Sequence, residues 1–121
     1  MFLYKNKSVV TGGSGRFGSE LKKIKNKYKL LFPNKRKLNI LNPKNMEKYL
    51  NAQKPTYLIH LAGLSRPLEI HEKHIYKSTD LNIIGAANIT KACSKLGIKL
   101  IYFSTSYNYP GTKGSYKETD R

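Results

Sequence analysis

A run of glycines constrains this chain more than any other feature. It reads "VVTGGSGRFGSELKKI", residues 9–24, with Gly12, Gly15 and Gly18 three residues apart. The apolar stretch Lys7 to Thr11 precedes it and reads as a short buried strand. Beyond it, Phe17, Leu21, Ile24 and Tyr28 recur at steps of four, three and four, an apolar helical stripe. Lys22, Lys23, Lys25 and Lys27 fall off that stripe and face water. Between a strand and a helix, such a run can cradle linked phosphates. Gly12 permits the tight turn, Gly15 a close approach of backbone to a pyrophosphate, and Gly18 close packing of helix on strand. Amides near Arg16 and Phe17 then face the phosphates, and the helix dipole adds to the attraction. The spacing is G-x-x-G-x-x-G, and a flexible turn before a basic helix is the alternative. The rest of the chain supplies the context.

Lys29 to Phe32 reads as a second strand. Leu38 to Leu41 also looks extended, yet only about five residues separate the two runs, and parallel strands need a crossover of roughly a dozen. A short extended segment is therefore expected there. Asn42 caps a helix with Pro43 in its first turn; Met46, Tyr49 and Leu50 give it an apolar side, and Pro55 follows its end. Thr56 to Gly63, "TYLIHLAG", is nearly all apolar, as a central parallel strand should be. One long helix is expected from near His71 to Leu96, with the stripe Ile75, Thr79, Asn82, Ala86, Ile89, Cys93 and Leu96, stopped by Gly97. Ile98 to Ser104 is another buried strand, and residues 105–121 form a polar, irregular tail. The alternation implies an α/β protein, a parallel sheet with helices on both faces, in a single domain over residues 1–121.

Composition narrows the partners. The formal charge is +16, which admits nucleic acid, membrane or anionic small molecules. Most lysines sit singly at outward helical positions, so a solvated surface is the plainer reading, and nucleic-acid binding has charge alone behind it. No apolar run approaches the roughly 20 residues that span a bilayer. Charge interrupts the start, "MFLYKNKSVV", so no signal-peptide pattern is present. The single cysteine, Cys93, forms no disulfide within the chain and leaves a reducing cytoplasm as the default. His71 and His74 stand three apart, but neither they nor His60 have a cysteine or carboxylate set to complete a metal site; Glu69 and Glu72 read as surface residues. No metal is expected.

"TGGSGRFG", "IHLAG", the helix bearing Asn82 and "IYFSTSYNYPGTKGSYKETD" together resemble the extended short-chain dehydrogenase/reductases. The branch they resemble is the sugar-nucleotide group of NAD-dependent epimerase/dehydratases and dTDP-4-dehydrorhamnose reductase-like proteins. The resemblance covers almost the whole chain and implies a Rossmann-like sheet, truncated after about the fifth strand. It implies that Gly12, Gly15, Arg16, Phe17 and Gly18 bind the pyrophosphate of a nicotinamide dinucleotide. Asn39-Ile40 stands where the family has an aspartate and an apolar residue at the adenine, and an amide can still hydrogen-bond adenine. Leu61, Ala62 and Gly63 would line the cofactor. Asn82 either takes part in the active site or is a satisfied core asparagine bracing a neighbouring strand. Thr105 matches the catalytic hydroxyl, which would hydrogen-bond the substrate's carbonyl or hydroxyl during hydride transfer; a plain turn threonine is the alternative. Ser106 departs from the aspartate common in the reductase branch. After the second strand stands "PNKRK", without the carboxylate that favours NAD, so Lys35 or Arg36 can pair with a 2′-phosphate and NADP is favoured over NAD.

The family's tyrosine with a lysine four residues on is not evident. Tyr109-Pro110-Gly111-Thr112-Lys113 matches literally, but Pro-Gly marks a turn, so the two side chains would not share a helical face. Tyr116 fails because its fourth neighbour is Asp120. The chain thus reads as the amino-terminal portion of such an enzyme, without unaided catalysis, and a nucleotide sugar would bind only with further chain. A non-catalytic dinucleotide-binding regulatory or partner-binding module is the second reading, a basic nucleic-acid binder the third. The last strand would lie at an exposed sheet edge, open to pairing with another copy.

Overall fold

The computed structural model describes residues 6–25, 27–105 and 108–120. Four parallel strands form one sheet: β1 (Lys7–Thr11), β2 (Lys29–Leu31), β3 (Tyr57–His60) and β4 (Lys99–Tyr102), in the order β2-β1-β3-β4. The helices are α1 (Arg16–Lys23), α2 (Pro43–Gln53), α3 (Glu69–Lys73), α4 (Ile75–Thr79) and α5 (Gly85–Leu96), with a π-helical segment at Asp80–Ile84 between the last two. From β1 the chain crosses one way to β2, then crosses back to β3 and on to β4. Right-handed crossovers therefore put α1 on one face of the sheet and α2 and α5 on the other. The strand order reverses between β1 and β3, and ligands of open α/β sheets bind at such a point.

The face under α2 and α5 holds the core. Val9 and Leu58, register partners on β1 and β3, are fully buried beside Met46 and Leu50 of α2 and Ile89 and Cys93 of α5. Each such side chain contributes about 1.5–3 kcal/mol of hydrophobic free energy. Burial also pushes the Cys93 thiol up to about 11, so it acts as a small core hydrophobe. Asn42 caps α2 as expected: its Oδ1 accepts from Asn45 N at 3.0 Å, with Pro43 at the first helical position.

Residues 39–42 close a turn, and the sheet has four strands among the described residues rather than about five. Asn39 causes this. Its Oδ1 accepts from Leu41 N at 3.0 Å and its carbonyl from Asn42 N at 2.9 Å, so those amides serve a turn instead of a ladder. Leu38 and Ile40 still reach the core.

The single helix expected over residues 71–96 is broken at His74, whose backbone (φ −134°, ψ 56°) leaves the helical region. Its stripe is buried only in its second half: Ile75 is 65% exposed, whereas Ile89 and Cys93 are buried. The stripe expected on α1 also differs. The helix stops at Lys23, leaving Ile24 and Tyr28 beyond it, and Phe17, Ile24 and Tyr28 are each more than half exposed. On that face the close contact is made by backbone: a Cβ on Gly18 would come within 2.6 Å of both Gly12 O and Gly13 Cα. Phe17 meets Phe103 beyond β4, ring centroids 5.0 Å apart and the planes tilted by 49°.

Candidate functional site

The carboxyl ends of β1 and β3 lie side by side, with Thr11 and His60 in register. Thr11 Oγ1 lies 2.7 Å from His60 Nδ1 and accepts from Ala62 N at 3.4 Å. The His60 ring is buried and stacks on Tyr102 of β4 at 5.8 Å. Three strand ends are thus tied through side chains beneath the loops that follow. Burial pushes the His60 pKa below its ordinary value of 6.5, so the ring is neutral at pH 7. The unfolded chain takes up this proton near pH 6.5 while the folded chain resists it. Stability is therefore expected to fall as pH drops below about 6.5, until the lower folded value is passed. Urea midpoints between about pH 7.5 and 5 check this against His60→Asn, which should show a shallower fall.

After Thr11 the chain turns tightly. Gly12 has φ +73°, and Gly15 N donates to Gly12 O at 3.0 Å. α1 starts directly after Gly15, with no side-chain cap and no acidic residue in its first turn. Its amino-terminal amides thus face outward at the positive end of the dipole, uncompensated by a local carboxylate.

Two cavities open at this switch point. One, of about 430 Å³, is lined by Gly12, Gly15, Phe32, Lys35, Asn39 and Ile40, among others. The second, of about 420 Å³, is lined by Phe17, His60, Asn82, Tyr102, Phe103 and Thr105, among others. Leu61, Ala62 and Gly63 line both, so together the cavities make one groove along the carboxyl edge of the sheet.

Most of the expected residues converge here. Gly12, Gly15, Asn39 and Ile40 line the first cavity, and Phe17, Asn82 and Thr105 the second. Gly18 is buried beneath the loop and lines neither. Arg16 and Arg36 are exposed and also line neither, whereas Lys35 and Lys22 line the first. Arg36 is turned away in the 35–37 turn, where its carbonyl accepts from Asn45 Nδ2 at 3.4 Å. Asn82 Oδ1 accepts from Leu64 N at 2.7 Å and Nδ2 donates to Leu64 O at 2.8 Å, so this side chain braces the loop after β3. It sits in the π-helical segment. Ser106 lies outside the described residues.

Tyr109 and Lys113 do not face the groove. Tyr109 stacks on Tyr116 at 4.7 Å and its hydroxyl donates to Lys117 O at 3.3 Å, while Lys113 pairs with Asp120 at 3.6 Å. Tyr116 OH accepts from Lys113 N at 3.0 Å, a bond that lowers its pKa. Residues 109–116 contain no helix. Among the described residues, no three His, Cys, Asp or Glu side chains gather for a metal. His71 Nδ1 instead lies 2.6 Å from Ser78 Oγ. No helix among the described residues is long and apolar enough to cross a membrane.

The family model of the RmlD substrate binding domain matches residues 6–121. The chain belongs to that family. The RmlD-family chain superimposes on dTDP-4-dehydrorhamnose reductase from Bacillus anthracis, solved in complex with NADP, with a TM-score of 0.81 and 29% identity over 90% of this chain and 40% of that one. Methionine adenosyltransferase 2 subunit beta from Xenopus laevis is 28% identical, covering 93% of this chain and 36% of its own length. GDP-L-colitose synthase from Yersinia pseudotuberculosis is 29% identical over 86% of this chain and 35% of its own. The chain thus spans about a third of the length of these curated relatives.

The Thr11–His60 tie and the placement of Lys22 were not singled out in the sequence. The sequence signal for the tie is a polar residue closing each of two apolar strands. For Lys22 there is none, because its place depends on how α1 lies against the end of β2.

Proposed function

We propose that this chain is the dinucleotide-binding portion of an NADP(H)-using sugar-nucleotide reductase of the RmlD type. One observation carries the reading: the glycine backbone at residues 12, 13 and 15 lines a groove at the sheet's switch point, with the amino terminus of α1 opening onto it. The same holds at Gly13, where a Cβ would meet Phe32 Cδ1 at 2.9 Å, so bare backbone separates Phe32 from the loop at that position. The likeness to an NADP-bound reductase over 90% of the chain supports the same ligand.

In this reading the first cavity takes the adenosine half and the second the nicotinamide half and the sugar. Gly12 and Gly15, with the first amides of α1 at Arg16 and Phe17, bind the pyrophosphate. Asn39 Oδ1 is held by Leu41 N, so adenine meets the Asn39 Nδ2 donor beside Ile40. Leu61, Ala62 and Gly63 form the floor common to both halves. Thr105 hydrogen-bonds the sugar's reacting oxygen, and Asn82 fixes the loop opposite it. When bound, the nicotinamide supplies the hydride. Tyr109 and Lys113 line neither half of the groove, and the described residues are expected to bind without turning over.

Calorimetry with NADPH and NADH tests the proposal: saturable one-to-one binding is expected, and flat titrations with both would end it. A second reading, a partner-binding subunit that uses the same cradle without chemistry, is favoured by the curated relatives named as a beta subunit. Turnover of a nucleotide sugar by the complete protein separates the two.

A further inference from the structure

We propose that the amino edge of the sheet, opposite the groove, is a binding surface for single-stranded nucleic acid. Parallel strands all begin at one edge. Across it their first residues are Lys29 of β2, Lys7 of β1, Tyr57 of β3 and Lys99 of β4. The crossover helices end at the same edge. There α1 gives way to Lys25 and Lys27, and α2 to Lys54, its left-handed C-cap with φ 46°. In the sequence these lysines lie scattered, and the parallel register gathers them.

Part of this charge serves the fold. Lys7 Nζ donates to Gln53 O at the end of α2, where a cation offsets the negative pole of the helix. Lys23 pairs with Glu20, and Lys95 with Glu47. Lys25, Lys27, Lys29, Lys54 and Lys99 are exposed and take part in no ion pair among the described residues. A helix end carries about half a negative charge, so α1, α2 and α5 together balance only about 1.5 of the excess. The arrangement of the remainder narrows the partner. Neighbouring strands lie about 4.8 Å apart, so the edge from β2 to β4 runs for about 14 Å. One phosphate is met at a point, whereas cations drawn out in a row suit a chain of phosphates. Two of the lysines lie on rings: Lys27 Nζ is 5.7 Å from the Tyr28 centroid, and Lys99 Nζ is 5.7 Å from that of Tyr57. Tyr28 is 54% exposed. Ammonium groups beside accessible rings answer both parts of an unpaired strand, its phosphates and its bases. A duplex keeps its bases stacked inside and offers such rings nothing to stack on.

Fluorescence anisotropy with labelled oligo(U) of about 20 nucleotides, beside a duplex of equal length, tests the surface. One variant combines Lys25→Gln, Lys27→Gln, Lys29→Gln and Lys99→Gln. Its control combines Lys44→Gln, Lys73→Gln, Lys77→Gln and Lys113→Gln, which removes the same charge away from the amino edge. Each phosphate contact on a single strand contributes about 0.7 to the slope of log K against log salt. The first variant should therefore flatten that slope by about 3 and weaken oligo(U) by about a hundredfold or more at about 0.1 M salt. The control should lose less than about threefold. Lys29→Gln and Lys99→Gln made singly, each expected to lose about fivefold, keep the comparison if the combined variant melts early. Tyr28→Ala should weaken oligo(U) by about fivefold or more and leave the duplex unchanged. Equal losses in the variant and its control, or no binding of oligo(U) by the wild type, would overturn the proposal. So would a Tyr28→Ala variant that weakens both nucleic acids alike, because no base then stacks at this edge. Vesicles of phosphatidylserine and phosphatidylcholine that bind through the same lysines while oligo(U) does not would make the edge a membrane surface and end the proposal. None of these outcomes touches the dinucleotide groove at the other edge.

Discussion

Gly12→Ala should cost this chain about 3 kcal/mol or more of folding stability, the combined effect of a left-handed residue and a backbone collision. Gly12 has φ +73°, a region that costs an L side chain about 1–2 kcal/mol. The larger part is steric. A Cβ there would lie 2.5 Å from Ala62 N and 2.6 Å from the Leu61 carbonyl carbon. Neither is a flexible side-chain end. Leu61 N donates to Thr11 O at 3.2 Å and Ala62 N to Thr11 Oγ1, so retreat of the 61–62 backbone breaks the tie between β1 and β3. Domains of this size hold about 5–15 kcal/mol in all. A fall in melting temperature of about 10 °C or more is therefore expected, read by circular dichroism. Gly111→Ala is the matched control. Its φ is +72° and nothing lies within 4 Å of the added atom, so it isolates the backbone strain. Equal melting of the two variants would show that the close approach between residues 12 and 62 does not exist.

The order of elements and the direction of the sheet were legible because each strand is a short apolar run and each crossover carries its own helical stripe. α2 was legible down to its cap, since Asn42, Pro43, Met46 and Leu50 act within one helix and its immediate contacts. The groove was legible in outline because the residues after strands at a switch point must converge, wherever the helices settle. Four features were hidden, each for a physical reason. The turn at 39–42 depends on one amide, Asn39, capturing Leu41 N, and an apolar pattern does not show that competition. The break at His74 leaves the periodicity of its flanks intact, so an uninterrupted stripe and a broken one look alike in sequence. The exposure of Phe17, Ile24 and Tyr28 shows that an apolar stripe states what a helix can bury, and the surrounding chain decides what it does bury. Arg36 and Lys35 were equivalent as neighbours in a basic turn, and only the path of that turn separates them.

Gly15→Val is expected to leave the fold nearly untouched and to weaken dinucleotide binding by about a hundredfold or more. Gly15 has φ −71° and ψ 172°, ordinary extended backbone that valine adopts readily. Its Cβ would meet only Gly12 O, at 3.3 Å, a contact relieved by a small shift of the loop. The branched side chain would instead project into the cavity that Gly15 lines. There it stands between the incoming phosphates and the first amides of α1. Each charge-assisted hydrogen bond lost contributes about 1.5–3 kcal/mol, and two such losses account for the expected change in affinity. The variant thus separates the two demands on the glycine run: residue 12 is bare because the protein's own backbone passes beside it, and residue 15, on the proposed reading, because a ligand must. Calorimetry with NADPH, beside a melting curve within about 3 °C of the wild type, reads both at once. A valine variant that melts and binds as the wild type does would mean that no phosphate rests on this loop, and the groove would then lack the feature that gives it a ligand.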